Sequence, residues 1–175
     1  MNSHTTPILL TVVAVTLVAG QSPAQHAVPS SAGNPLAGAW SLVSIETFRP
    51  NGDPLPAFLG GASGGVLIYD MSGWMSVQVV RNPPARWAGD EPPSVSLPEL
   101  ADAFRGYYAY FGTFEVNEKE GSVVHHLKGS LRPPEVGRDY KRYFRLAGDE
   151  LTLTTPVTID EGTERVNRLV WRRIK

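Results

Sequence analysis

The chain has 175 residues, 42% hydrophobic and 19% charged, with a formal net charge of -1. That length suits one globular domain, and the near-neutral balance leaves no basic field to draw the protein to nucleic acid. Cysteine is absent, which excludes disulfides, thiolate metal sites and cysteine nucleophiles together.

The first feature in chain order is the apolar run PILLTVVAVTLVAG at 7–20. It is shorter than the ~20 residues of a membrane-spanning helix. Ser22 and Ala24 follow in the small-x-small pattern of a cleavage site. Residues 1–24 therefore read as a secretory signal peptide, which would export the domain to the periplasm or the exterior and leave no membrane span after cleavage. Residues 25–35, with Pro, Ser and Gly, read as a linker, and the domain runs over 36–175.

Within the domain, GAWSLVSIETF at 38–48 is β-branched and aromatic, and RPNGDP ends it with turn residues. LPAFLGGASGG at 55–65 reads as a loop, VLIYD at 66–70 as a strand, and WMSVQVVR at 74–81 as the next strand. Residues 82–96 carry four prolines and form no regular element. A helix is predicted over 97–111. Pro98 suits its first turn, Glu99 and Asp102 its positive end, and Leu100, Ala103, Phe104 and Tyr107 recur at helical spacing. Strands then resume through GTFEVNE, SVVHHLKG, DYKRYFRLA, ELTLTTP and ERVNRLVWRRI, divided by tight turns. The pattern predicts an all-β domain: an antiparallel barrel of about eight strands, with one helix between the third and fourth strands.

Several motifs carry a resemblance: GAW opening the first strand, GGVLIYDMSGWMSVQVVR, YYAYFGTFEV, VVHHLKGSLRPPEVG, RYFRL before GDELTLTTP, and the terminal LVWRR. In this order and spacing, over 36–173, the sequence is similar to the lipocalin-like domain proteins of bacteria and fungi, relatives of the calycin barrels. The resemblance implies a barrel with a cavity. It also implies a base clamp, in which Gly38 and Trp40 supply the G-x-W element and Arg173 or Arg172 packs on the tryptophan. It implies no reaction.

Strand alternation assigns faces. Val123, His125 and Leu127 share one face; Val124, His126 and Lys128 share the other. An unpaired lysine is costly inside a barrel, so His125 is expected inside and His126 outside, unless a bulge shifts the register. Tyr140, Arg142, Phe144 and Leu146 likewise share an inward face. Arg81 lies on the face of Met75, Val77 and Val79. The inward faces supply almost no carboxylate, although tyrosines are plentiful. His125, Arg142, Tyr110, Tyr140, Arg81 and Tyr69 are therefore the candidate ligand-binding residues. An apolar body with a cationic, hydrogen-bonding end suits a small amphipathic molecule bearing a carboxylate, enolate or phenolate. His125 would then give binding a pH dependence between about 5 and 8.

Other motifs lead nowhere. GASGG around Ser63 matches the nucleophile-elbow string, but a loop precedes it and a strand follows, the reverse of the required context. No dinucleotide or phosphate-binding glycine string is present, and no cofactor is expected. Adjacent histidines on a strand diverge and lack a third ligand, so no metal is expected. The YYAYF run reads as packing at a helix end, and the arginines at 165, 168, 172 and 173 as a solvated face plus the clamp. The leading reading is an exported barrel binding a small anionic amphipath. One alternative is an isomerase or cyclase in the same cavity, with His125 exchanging a proton and Arg142 stabilising an enolate. The other is a structural envelope protein with a filled barrel.

Overall fold

The computed structural model describes residues 33–60, 63–88 and 94–175. The expected leader and most of the linker lie outside the described residues. Among the described residues no helix is long and apolar enough to cross a membrane. Among the described residues ten strands form one antiparallel sheet: β1 (Gly38–Phe48), β2 (Pro54–Leu55), β3 (Ser63–Tyr69), β4 (Trp74–Arg81), β5 (Tyr107–Asn117), β6 (Ser122–Ser130), β7 (Asp139–Ala147), β8 (Glu150–Thr154), β9 (Thr158–Asp160) and β10 (Thr163–Arg173). The order is β2-β1-β3-β4-β5-β6-β7-β8-β10-β9, and β1 also pairs with β10. The eight longer strands thus close into a barrel, which removes the exposed edges of an open sheet. The short β2 and β9 extend it at one end, each beside a strand of the β1–β10 seam.

The helix, α1 (Leu97–Arg105), follows β4. The sequence counted one strand fewer before it, because β2 is a two-residue pairing of Pro54 and Leu55 with Phe48 and Thr47, too short to read from alternation. The helix is also shorter than expected. It stops at Gly106, whose N–H returns to the Asp102 carbonyl, and YYAYF continues as strand, with Tyr107 opposite Val80 and Tyr110 opposite Val77. Helical spacing ran through this segment, but aromatic residues pair well in a sheet, and the β4 edge was available. No residue of α1 is buried, and Phe104 is 49% exposed. Polar contacts anchor it instead: the Glu99 carboxylate accepts from the Ser96 and Ala88 backbone N–H groups, and Arg81 grips Asp102.

The strand faces follow the alternation. Met75, Val77 and Val79 from β4, Tyr110 and Phe114 from β5, and Val123, His125 and Leu127 from β6 are all buried. A bulge does interrupt β6: Phe111 faces Gly129 and Gly112 faces Leu127, so Lys128 is left over. It lies beyond His126, so the register of both histidines is kept. Glycine is required at 112, because a Cβ there would sit 2.0 Å from the His126 carbonyl oxygen. At the barrel base, Asn34 and Pro35 join the fold, although the sequence placed them in the linker: Asn34 accepts from the Leu36 N–H and Pro35 from Arg173.

Candidate functional site

The barrel interior holds a cavity of about 500 Å3 that opens to the outside, which counts against the filled-barrel alternative. Its waist is apolar, formed by Ile45, Leu67, Val77, Val79, Leu153 and Leu169. Polar groups lie on one wall and around the mouth. His125 on β6 is opposite Phe114 on β5 and Tyr140 on β7. Arg142 lies one inward position further along β7, opposite Val123. The pleat thus puts His125, Tyr110, Tyr140 and Arg142 on one wall, and all four line the cavity.

His125 is 1% exposed and both its ring nitrogens are taken. Tyr69 Oη lies 2.7 Å from Nε2, and Tyr110 Oη lies 2.9 Å from Nδ1. Any proton passing between His125 and a cavity ligand, as the isomerase alternative requires, would have to go through Tyr110. Arg142 spans the wall, its guanidinium donating to the Lys141 carbonyl at 2.8 Å and lying 5.1 Å from the centroid of Tyr140. The Tyr110 and Tyr140 rings meet edge to face. Trp171 is fully buried and lines the same cavity, and among the described residues its indole N–H has no hydrogen-bond partner.

Burial, and then the Arg142 cation, hold the His125 pKa well below the usual histidine value. Burial likewise pushes the hydroxyls of Tyr69, Tyr110, Tyr108 and Tyr140 up. The phenols are therefore neutral donors near pH 7. This corrects the expected titration of His125 between pH 5 and 8: charging it would place a second cation beside Arg142 in a dry wall. The unfolded chain takes up the histidine proton below about 6.5 while the fold refuses it. Stability is therefore full above that pH and falls as pH drops toward the depressed folded value, by up to about 1.4 kcal/mol per pH unit. Urea unfolding of the parent and His125→Gln at pH 7.5 and 5 should show the smaller acid loss in the variant. Equal losses would mean that His125 charges inside the barrel.

The other candidates divide. His126 faces outward, with Nδ1 2.7 Å from an Asp139 carboxylate oxygen. Tyr69 lies behind His125 and does not line the cavity. Arg81 is corrected: its guanidinium pairs with both carboxylate oxygens of Asp102, at 3.0 and 2.7 Å, and it is not a cavity residue. It sits at the end of β4, where the chain leaves the barrel for the helix.

The mouth held residues that alternation missed. Glu135, 9% exposed, sits in a 3-10 turn at Pro133–Glu135 and accepts from Tyr108 Oη at 3.0 Å and Ser130 Oγ at 2.8 Å. Arg132 lies 4.8 Å from the centroid of Tyr108, and Phe58 packs edge-on against the same ring. On the far rim, Arg165 pairs with Asp160 at 2.8 Å. Among the described residues no His, Cys, Asp or Glu cluster could hold a metal ion.

Compared with known proteins, residues 37–174 match the family described as a lipocalin-like domain. A curated relative, the 4'-hydroxy-3'-methoxypropiophenone carrier protein of Aspergillus oryzae, is 34% identical over 108 residues, which cover 57% of this chain and 96% of the relative.

Proposed function

This chain belongs to the lipocalin-like domain family, and from that premise we propose that it carries a small aromatic amphipath in its barrel, with an anionic or acceptor oxygen of the ligand held at the Tyr110–Arg142 wall. One observation carries the reading: a cavity of about 500 Å3 with an apolar waist, whose wall presents the Arg142 guanidinium with no carboxylate partner among the described residues. That size falls in the range of small-molecule sites, and apolar walls with a few convergent polar groups are their usual chemistry. This guanidinium is half-buried, and a ligand oxyanion would give it a charge-assisted partner that no carboxylate of the described residues supplies. The relative named as a carrier supports transport over turnover. So does His125, which presents no free nitrogen to the cavity.

The test uses the cargo in that relative's name. Calorimetric titration with 4'-hydroxy-3'-methoxypropiophenone is expected to show saturable binding of one molecule per chain, with the ketone recovered unchanged. Absence of saturation up to millimolar concentration would overturn the carrier reading, and conversion of the ketone would move the protein to the isomerase class.

A further inference from the structure

The hydrogen-bond chain behind the cavity wall has one order of protons that leaves no hydrogen stranded in the core away from the cavity. Tyr69 is 1% exposed, and among the described residues its hydroxyl has a single partner, His125 Nε2. A buried hydroxyl without an acceptor costs about 1–3 kcal/mol, so Tyr69 donates to Nε2. A neutral imidazole carries one N–H, which must then be on Nδ1. His125 is neutral because the wall is dry and Arg142 is close. Nδ1–H donates to Tyr110 Oη, and the Arg142 guanidinium lies near the same oxygen. Tyr110 Oη thus accepts from His125, and its own hydrogen has no acceptor among the described residues. The opposite tautomer would have Nε2 donate to Tyr69 and strand the Tyr69 hydrogen in the core.

We propose that the Tyr69–His125–Tyr110 chain fixes the Tyr110 hydroxyl as a donor aimed into the cavity, selecting ligands whose inner end is a carbonyl or carboxylate oxygen. This rests on the carrier reading of the same cavity. His125 is a positioning residue: it touches no ligand and sets which way the tyrosine hydrogen points. The Arg142 guanidinium, which lines the cavity, is also a donor. Glu135, the buried carboxylate, belongs to the mouth and already accepts from Tyr108 and Ser130. The wall therefore offers hydrogens and asks for lone pairs. A hydrocarbon end would leave the Tyr110 hydrogen unmet when water is displaced.

Two measurements test this on the full chain. Nitrogen-15 NMR of the side chains reads the His125 tautomer without any ligand, and the Nδ1–H form is expected. Calorimetry then compares propiophenone with propylbenzene, which differ in the carbonyl. The ketone should bind about tenfold tighter to the parent, and the preference should shrink to about threefold or less in Tyr110→Phe, the effect of removing one hydrogen bond. An Nε2–H tautomer would overturn the proton order. An Nδ1–H tautomer with equal binding of the two probes would overturn the selectivity and leave the carrier reading standing. Failure of both probes to bind at millimolar concentration would overturn selectivity and carrier reading together. The tautomer and the parent's preference need no variant, so a misfolded Tyr110→Phe protein leaves both measurements decisive.

Discussion

Trp40→Ala is expected to destabilise the barrel by about 3–5 kcal/mol, the range for truncating a large buried aromatic. Trp40 is fully buried, and its indole N–H donates to the Leu36 carbonyl at 2.9 Å. The Arg173 guanidinium lies 4.0 Å from its ring centroid, so a cation covers the aromatic face. That guanidinium in turn donates to the Ala37 and Pro35 carbonyls at 2.6 and 3.0 Å. Trp40 and Arg173 are register partners across β1 and β10, so the cluster sits on the seam that closes the barrel. Gly38 is part of it: its φ is +127°, and a Cβ there would lie 2.9 Å from Arg173 Nη1. The alanine variant loses apolar burial and leaves a cavity at the closure point, and Arg173 loses the surface it lies on. Urea denaturation at pH 7 measures the change. A loss within about 0.5 kcal/mol, as for an ordinary surface position, would mean that the clamp does not hold the fold together.

Arg142→Met is expected to weaken binding of an aryl carboxylate such as 3-phenylpropanoate by about 10- to 100-fold while leaving a folded barrel, because a charge-assisted hydrogen bond contributes about 1.5–3 kcal/mol. Arg142 lines the cavity and lies against Tyr140. Its guanidinium donates to the Lys141 carbonyl and lies near Tyr110 Oη, so the substitution orphans no carboxylate. Methionine keeps most of the apolar stem and can adapt to the space. His126→Ala is the control: the imidazole is on the outer wall beside Asp139, and its removal should leave affinity at the parental value. Calorimetry of the three proteins at pH 7 decides the matter. Parental affinity in Arg142→Met would place the anion elsewhere, and a loss confined to His126→Ala would reverse the assignment of the two histidines.

Much of the inner wall was legible from alternation. A strand has a period of two, so Lys128 sends His126 outward and His125 inward, and the apolar stripe through Tyr140, Phe144 and Leu146 carries Arg142 with it. The bulge at Lys128 could have broken that inference; it lies past both histidines, a placement visible only once Phe111 is seen over Gly129. Arg81 shows the opposite outcome. It shares the parity of Val77 and Val79, but parity gives a face and not a partner. The partner came from α1, when Asp102 was brought to the end of β4.

The Trp40 clamp was implied by the family resemblance; by itself the sequence determined the succession of strands and the inward parity of His125, Arg142 and Tyr140. These are local properties, set by the two-residue period and by the burial preferences of single side chains. The tertiary structure alone decided that the interior is open, that Tyr69 and Tyr110 occupy both nitrogens of His125, that Glu135 guards the mouth, and that the aromatic run after Gly106 is strand. Each depends on residues distant in the chain: Tyr69 and His125 are 56 positions apart, and Glu135 enters from a proline-rich turn with no period to reveal its face. Pairing with β4 overrode helical spacing at Tyr107, because intrinsic propensity differences are small beside the hydrogen bonds and packing of a completed sheet.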